Sequence, residues 1–277
     1  MTVSIVGVDV GGTSIRAVRV DGDVAAVESS IGPTPRGAPA IAAAVAGHVR
    51  AVAADAVAVA IGVPGRVDSA TGVVRSAVNL GIAGPVPFAT LVGELTGLPV
   101  HIENDVNAAA LGAFAHLRLG PDRSLAYVNV GTGIAAGFVL GGRLWRGATG
   151  TAGEIGHLPM WPHGPWCPCG QVGCAEAVGS GRAVSADPSR RADVAAAVAW
   201  TVQLCVMTLD VDVVALGGGM TESPEIVASV RAELAAREAG SSMLADLRLT
   251  SRVHVVPVDA PLGCLGAVLA RATLGAP

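Results

Sequence analysis

The chain of 277 residues contains no lysine, so all 18 of its basic residues are arginines. This absence excludes several classes of enzyme. A Walker A P-loop places a lysine on the nucleotide phosphates, and a protein kinase needs a lysine on its third strand. Pyridoxal-phosphate enzymes and Schiff-base aldolases need a lysine amine. None of these enzymes can be built from this sequence.

Charged and aromatic residues are also scarce, at 14% and 3% of the chain, and the net charge is −4. The mild acidity argues against non-specific nucleic-acid binding. The first residues have neither a basic segment nor a long apolar one, and apolar runs such as Ala56–Val63 are too short to span a membrane. We therefore expect a soluble cytoplasmic protein with no nucleic-acid partner and no membrane partner.

Two segments share one order of elements, in which a buried strand leads through a glycine-rich tip into a second strand. They are Val3–Val10, Gly11-Gly12-Thr13 and Ile15–Val20, and then Ser124–Val130, Gly131-Thr132-Gly133 and Ala135–Leu140. Glycine lets a backbone approach a phosphate, and successive N–H groups in a tight turn form an anion nest. Asp9, just before the first tip, is placed to hold Mg²⁺ through water. Taken alone, the first segment is explained better as an ordinary hairpin turn.

Periodicity and turn residues predict the remaining elements. The helices are Ala38–Ala54, Thr90–Gly97, Val106–Leu117, Asp193–Leu209, Pro224–Ala239 and Gly263–Leu274, and the strands are Val24–Val27, Val57–Val63, Val100–Glu103, Val211–Leu216 and Arg252–Pro257. A third glycine-rich turn, Gly217-Gly218-Gly219, is either a plain strand-to-helix turn or a flat backbone for a nucleobase or ribose. The glycines after Val130 resemble a dinucleotide fingerprint only loosely, because a strand and not a helix follows them. The pattern favours two α/β lobes, each opening on a glycine-tipped hairpin.

Glu103-Asn104-Asp105 ends one predicted strand and opens a helix. Asp105 has two interpretations. It is only an N-cap, which any strand-to-helix turn can use, or it is a general base at the carboxyl end of a strand, where α/β proteins place their sites. This segment by itself favours the cap.

The strongest local pattern is H-x₉-C-x-C-x₄-C, formed by His157, Cys167, Cys169 and Cys174. Three thiolates and one imidazole complete a tetrahedral Zn²⁺ site with no open position, which is typical of structural zinc. Zinc would also explain how Gly147–Gly181, rich in glycine and proline and without periodicity, becomes rigid. A redox cluster and a chance grouping are the less favoured alternatives.

In their order along the chain these segments resemble the ROK family, the bacterial sugar kinases and sugar-responsive repressors of the actin/hexokinase-like superfamily. The resemblance runs from Ile5 to Arg271 through DVGGTSIRAV, IGVPGRVD, IENDVNAAALGAF, VNVGTGIAAGFVLGG, GEIGH, CPCGQVGCAE and VVALGGGM. It implies a two-lobed α/β fold of the actin-like/hexokinase-like (ribonuclease H-like) type with a zinc-stabilised loop. The N-terminal lobe would comprise residues 1–107 and 262–277, and the C-terminal lobe residues 108–261.

The resemblance also implies roles for single residues. Asp105 would be the catalytic base, and zinc would be ligated by His157, Cys167, Cys169 and Cys174. ATP with Mg²⁺ would be bound by Asp9, Gly11, Gly12, Thr13, Gly131, Thr132, Gly133, Gly217, Gly218 and Gly219. The sugar would be bound by Gly65, Asn79, Asn104, Asp105, Glu154, His157 and Glu176.

The function implied is transfer of the γ-phosphoryl group of ATP to the 6-hydroxyl of glucose or a close analogue. An amino-sugar kinase of the kanosamine or N-acylhexosamine type is the alternative, since carboxylates can pair with an ammonium group. A sugar-sensing repressor would carry a DNA-binding domain ahead of the first hairpin, for which a strand starting at Val3 leaves no room. A silent sugar-binding regulator would lack Asp105 or the phosphate glycines. We also expect a homodimer.

Two departures from the family pattern bear on these expectations. Arg182–Arg191 is a short linker where family members usually carry a longer segment, which leaves the nucleotide preference and the oligomeric state open. Gly81-Ile82-Ala83-Gly84 stands where the family's glucokinases often have an aromatic residue, which leaves the choice of sugar open.

Overall fold

The computed structural model describes residues 4–21 and 25–273. Some predicted boundaries lie outside the described residues. They are the strand ends at Val3 and Val24, the helix end at Leu274 and the lobe ends at residues 1–3 and 274–277. The chain divides into two compact units. The first comprises Met1–Leu119, Arg146–Thr151 and Pro261–Pro277, and the second comprises Gly120–Trp145 and Ala152–Ala260.

The described residues form the following elements. The strands are β1 (Ser4–Val10), β2 (Ser14–Asp21), β3 (Ala25–Pro33), β4 (Ala58–Val63), β5 (Arg66–Asp68), β6 (Val73–Ser76), β7 (Val100–Asn104), β8 (Leu125–Val130), β9 (Ile134–Leu140), β10 (Arg143–Trp145), β11 (Val213–Gly217) and β12 (Val253–Val255). The helices are α1 (Ala38–Val52), α2 (Phe88–Thr96), α3 (Asp105–His116), α4 (Ala175–Gly179), α5 (Gly181–Ala186), α6 (Asp193–Leu209), α7 (Pro224–Gly240), α8 (Ser242–Leu247), α9 (Leu249–Arg252) and α10 (Leu262–Thr273).

The first unit is built on a five-stranded sheet in the order β3-β2-β1-β4-β7. β1 and β2 form the predicted antiparallel hairpin, whereas β1, β4 and β7 run parallel. All six residues of β4 are buried, because helices cover the central strands of a parallel sheet on both faces. The three parallel strands therefore end at one edge of the sheet, where α/β folds place their sites.

Helix α3 belongs to the first unit because it packs tightly on α10. Side chains at Gly112 and Gly266 would run into the backbone carbonyls of Leu262 and Ala108, so glycine alone permits this close approach. The lobe boundary predicted after residue 107 falls inside α3, whereas the compact unit continues to Leu119.

The second unit repeats the plan with a sheet in the order β10-β9-β8-β11-β12. β8 and β9 form the second predicted hairpin, and β11 runs parallel to β8 and β12. The helical stretch Pro188–Leu209 is long and apolar enough to cross a membrane. It nevertheless supplies core residues to this unit, among them Val198 and Val202, which are 1% and 0% exposed.

The structure contains several short elements that the sequence pattern does not predict. β5 and β6 form a separate two-stranded sheet, and β10 extends the second hairpin. The expected linker Arg182–Arg191 is wrong in detail, because α5 and a 3-10 turn at Pro188–Ala192 occupy it. Ser180 and Asp187 cap these two turns with their side chains, and those cap residues were the signal in the sequence.

Candidate active site

The parallel strands of the first unit bring Asp9 and the backbone of Asp105 to the same edge of the sheet, where both lie next to Gly62. Asp9 on β1 lies opposite Gly62 on β4, and Gly62 lies opposite Glu103 on β7. A Cβ atom at Gly62 would lie 3.7 Å from Asp9 Oδ1 and 3.5 Å from the Cα atom of Asp105. Asp9 and Asp105 therefore flank Gly62, which has no side chain to separate them.

The cap of helix α3 is Asn104 and not Asp105. Asn104 Oδ1 accepts hydrogen bonds from the backbone N–H groups of Val106 and Asn107, both at 3.0 Å. Its amide Nδ2 donates to the carbonyl oxygen of Gly65 at 3.1 Å. The interpretation of Asp105 as an N-cap is therefore wrong. Asp105 is the first residue of the helix, and capping does not require its carboxylate.

The Asp9 carboxyl is buried away from water. A Cβ atom at Gly263, near the start of α10, would lie 2.6 Å from Asp9 Cγ, which shows how closely the helix covers it. Burial raises the pKa of Asp9 from 3.8 to about 6, and the charge of Arg16 partly opposes this rise. A carboxylate that is costly to ionise in the fold is typical of a group kept for a ligand.

We expect Asp9→Asn to stabilise the protein in buffer without Mg²⁺. Because the folded pKa exceeds the unfolded one, ionisation opposes folding. This cost is absent below pH 3.8, grows up to about pH 6 and is constant above it. The variant should gain on the order of 1–3 kcal/mol in free energy of unfolding at pH 7.5. Urea denaturation at pH 4 and 7.5 measures the difference, and an equal gain at both values would contradict the assignment.

The first hairpin presents its tip to solvent. The Gly11 N–H donates to the Ser14 carbonyl at 2.8 Å, and the Thr34 hydroxyl donates to the Gly11 carbonyl at 2.8 Å. Gly12 and Thr13 are exposed. The amide nitrogen of Asn79 would lie 3.8 Å from a Cβ atom at Gly12, so this predicted sugar residue lies at the hairpin tip.

Gly65 has a structural reason to be glycine. Its φ is +95°, and a side chain there would collide with the carbonyl oxygen of Ser76. This conformation aims the Gly65 carbonyl at the Asn104 amide. The predicted contact of Gly65 with a sugar stays a prediction.

The second hairpin is held by Glu176, a connection that the sequence did not reveal. The Ile134 N–H donates to Glu176 Oε2 at 3.1 Å, and a side chain at Gly133 would collide with the same oxygen. The chain beyond Glu176 adds two bonds, from the Gly181 N–H to the Gly131 carbonyl at 2.8 Å and from the Arg182 N–H to the Thr132 carbonyl at 3.1 Å. Glu176 thus supports the hairpin within the second unit, and its contact with sugar stays a prediction.

In the third glycine-rich turn, Gly217-Gly218-Gly219, close packing leaves no room for a side chain at two of the three positions. Gly218 has a φ of +92°, and a Cβ atom there would lie 2.7 Å from both Asn129 Oδ1 and the Val130 carbonyl. A side chain at Gly217 would collide with Tyr127, whereas Gly219 faces open space. The predicted contact of these residues with adenosine stays a prediction, and Gly219 is the one with room for it.

The four predicted metal ligands come together in the second unit. The ligand atoms of His157, Cys167, Cys169 and Cys174 all lie within 4.8 Å of one another. The Sγ atoms of Cys169 and Cys174 are 3.6 Å apart, as are Cys167 Sγ and His157 Nδ1. A tetrahedral zinc with Zn–S bonds of about 2.3 Å separates its sulfurs by about 3.8 Å. The residues present therefore fit a zinc ion.

Gln171 is a supporting residue that sequence reasoning missed. Its amide donates to the His157 carbonyl at 2.9 Å and to Cys169 Sγ at 3.4 Å. The hydrogen bond from Gln171 to the Cys169 sulfur lowers the pKa of Cys169 to about 6. Burial raises the pKa of Cys174 to about 12. Its position between two cysteines of the motif was the only signal in the sequence.

The two nitrogens of His157 face different partners. Nδ1 lies beside the Cys167 thiol, and Nε2 lies 4.0 Å from Glu154 Oε2. When Nδ1 ligates a metal, Nε2 carries the ring proton and can donate it to an oxygen. The imidazole can therefore serve a metal and an oxygen-rich ligand together.

The G-E-I-G-H segment lies directly on strand β9. Side chains at Gly153 and Gly156 would collide with the carbonyl oxygens of Ala136 and Ile134. The Ala136 N–H donates to the Gly153 carbonyl at 2.8 Å. The two glycines, three residues apart, therefore set the 3-10 turn that carries His157.

We expect Gly156→Ala to lower the free energy of unfolding by roughly 1–3 kcal/mol or more, because the methyl group meets backbone that cannot move aside. Gly47→Ala is the matched control. Gly47 lies on an exposed face of α1 with no atom near the added methyl. This control should stabilise the protein by roughly 0.5–1 kcal/mol. Urea denaturation compares both, and equal stabilities would contradict the packing described for the turn.

Comparison with known proteins identifies the family of this chain. A profile of the ROK family matches residues 5–195. The chain belongs to the ROK family. The glucokinase of Streptomyces coelicolor is 38% identical over 190 residues, or 68% of this chain. The N-acetylmannosamine kinase of Salmonella typhimurium is 31% identical over 260 residues, covering 92% of this chain and 82% of that protein.

The similarity to a solved structure covers nearly the whole chain. The ROK family glucokinase from Streptomyces griseus in complex with glucose and AMPPNP is 28% identical, with a TM-score of 0.79 over 96% of this chain and 98% of that chain. The predicted α/β fold of the hexokinase-like ROK type is therefore confirmed. The match to the Streptomyces coelicolor glucokinase spans 60% of that protein's length.

Proposed function

We propose that this ROK chain is an ATP-dependent hexose kinase that phosphorylates the 6-hydroxyl of glucose or a close analogue. The observation that carries the proposal is the pair of aspartates at the edge of the first sheet. Asp105 follows the cap residue and is not needed for capping, and Asp9 lies on the other side of Gly62. Kinase chemistry needs such a pair, one carboxylate for the attacking hydroxyl and one for a cation on the phosphates.

In the proposed reaction Asp105 accepts the proton of the sugar's primary hydroxyl as its oxygen attacks the γ-phosphorus in line. A new O–P bond forms, the bond between the γ-phosphorus and the bridging oxygen breaks, and ADP leaves with that electron pair. Mg²⁺, held near Asp9 through water, would supply positive charge to the phosphates. The two glycine hairpins would donate backbone N–H groups, which suits a chain that has no lysine.

We propose seven sugar contacts, which the resemblance to the ROK family implies. They are Gly65, Asn79, Asn104, Asp105, Glu154, His157 and Glu176. Zinc on His157 would fix the loop that carries the last three, because outer ligands of this kind lock the rotamers of binding residues. We also propose a homodimer in the cytoplasm.

An amino-sugar kinase is the second candidate function. The Salmonella typhimurium relative, an N-acetylmannosamine kinase, supports it over 92% of the chain. The segment Gly81-Ile82-Ala83-Gly84 supports it as well, because it is small where family glucokinases often carry an aromatic residue. A kanosamine kinase stays within this alternative, whereas a silent regulator is disfavoured by the retained Asp105 and glycine tips.

The test is an ADP-release assay on zinc-containing protein with ATP and Mg²⁺. The sugars are glucose, mannose, fructose, glucosamine, kanosamine and N-acetylmannosamine. We expect the highest kcat/KM with glucose. A higher value with an amino sugar would establish the second candidate, and ADP release that no sugar stimulates would refute both.

A further inference from the structure

A buried carboxylate, paired with a partly buried arginine, lies two residues before the proposed catalytic base. The Glu103 side chain is 2% exposed, and its Oε2 atom accepts from Arg146 Nε at 2.8 Å and lies 2.7 Å from Arg146 Nη2. Such a carboxylate is costly to bury unless a cation and hydrogen bonds compensate for lost water. Here both are present, since Oε1 accepts from the Asn104 N–H at 2.9 Å and from Asn107 Nδ2 at 3.3 Å.

The groups bonded to Glu103 surround Asp105 in sequence. Asn104 precedes it and caps the helix, and Asn107 follows it in the first turn of α3. The Glu103 carboxylate therefore accepts hydrogen bonds from the strand-to-helix junction on both sides of Asp105. A cavity of about 410 Å³, lined by Glu103, Asn107 and Arg146 among others, opens beside this junction.

Arg146 comes from a distant part of the chain. It begins the segment Arg146–Thr151, which belongs to the first unit although the chain on either side belongs to the second. Six residues later the chain reaches Ala152, and the G-E-I-G-H segment follows. Glu103 therefore anchors, inside the first unit, the stretch that leads to the proposed sugar residues Glu154 and His157.

We propose that Glu103 and Arg146 are positioning residues that fix the junction carrying Asp105. This proposal rests on the proposed function, because it takes Asp105 as the base. Replacing a buried ion pair by neutral groups of similar volume is often tolerated in stability, so stability alone does not explain the pair. Its value lies in holding one backbone geometry for the base, since small misplacements of reacting groups cost large factors in rate.

The test is the double variant Glu103→Gln/Arg146→Met. It removes both charges, retains similar volumes and keeps an acceptor for the Asn104 N–H, whereas Arg146→Met alone would leave a buried carboxylate unpaired and could unfold. We expect a Tm close to that of the wild type, amide hydrogen exchange about tenfold faster at residues 104–107, and kcat lowered by about 10–100-fold with the KM for ATP unchanged.

The matched control is Asp68→Asn/Arg75→Met. Asp68 and Arg75 line the same cavity and pair at 2.6 Å, but the Arg75 side chain is 49% exposed. We expect this variant to keep the wild-type exchange at residues 104–107 and the wild-type kcat.

Two results separate the proposal from the proposed function. A folded Glu103→Gln/Arg146→Met protein with wild-type exchange at residues 104–107, or with wild-type kcat, overturns the positioning role. A wild-type protein that phosphorylates no sugar refutes the proposed function. In that case, faster exchange at residues 104–107 of the double variant still supports the role of the ion pair in fixing the junction. Unchanged exchange at these residues overturns that role.

Discussion

Asp105→Asn should lower kcat for sugar phosphorylation by a factor on the order of 10²–10⁴ and leave the fold intact. The amide keeps the size of the carboxylate but cannot accept the proton of the sugar hydroxyl. Helix α3 should survive, because its cap is Asn104 and not Asp105. The measurement is steady-state kinetics together with urea denaturation.

Two controls separate the roles of the neighbouring residues. Asn104→Ala removes the cap and should cost about 0.5–2 kcal/mol of stability, a cost that Asp105→Asn should not show. Asp246→Asn changes an exposed carboxylate on α8 and should alter neither quantity. An Asp105→Asn enzyme with near-normal turnover would remove Asp105 from the role of base.

Cys169→Ser should abolish zinc binding and weaken the sugar affinity with it. Elemental analysis should give about one zinc per wild-type chain and none in the variant, because serine is a poor zinc ligand at this site. Cys169 is exposed, so the change removes little packing by itself. The KM for sugar should rise because His157 and its loop would lose the ion that we propose orients them.

The matched control is Cys205→Ala. Cys205 is a buried cysteine of α6 outside the metal cluster. This variant should lose some stability but keep its zinc and its sugar KM. Zinc-free Cys169→Ser protein with an unchanged sugar KM would contradict the link between metal and substrate.

The two hairpins and the longer helices could be predicted because their signals are local. β-Branched runs that end at glycine tips predict β1 with β2 and β8 with β9, and apolar periodicity predicts α1 and α6. The metal cluster was equally local, since all four ligands fall between His157 and Cys174. In these cases the residues that interact are close in sequence.

The remaining features depend on contacts between distant residues. Asn104 and Asp105 are both good cap residues, and only the geometry of the junction shows which one caps. The burial of Glu103 depends on Arg146, 43 residues away. The bond from Ile134 to Glu176 spans 42 residues. No local pattern in the sequence contains such information.

We propose, above all, that this ROK chain moves a phosphoryl group from ATP to a sugar hydroxyl. ³¹P NMR of zinc-containing protein with ATP, Mg²⁺ and ¹³C-labelled glucose tests it most directly. We expect equal amounts of ADP and a sugar monoester whose phosphorus couples to carbon 6. ADP with free inorganic phosphate and no sugar ester, or no turnover with any sugar of the assay, would contradict it.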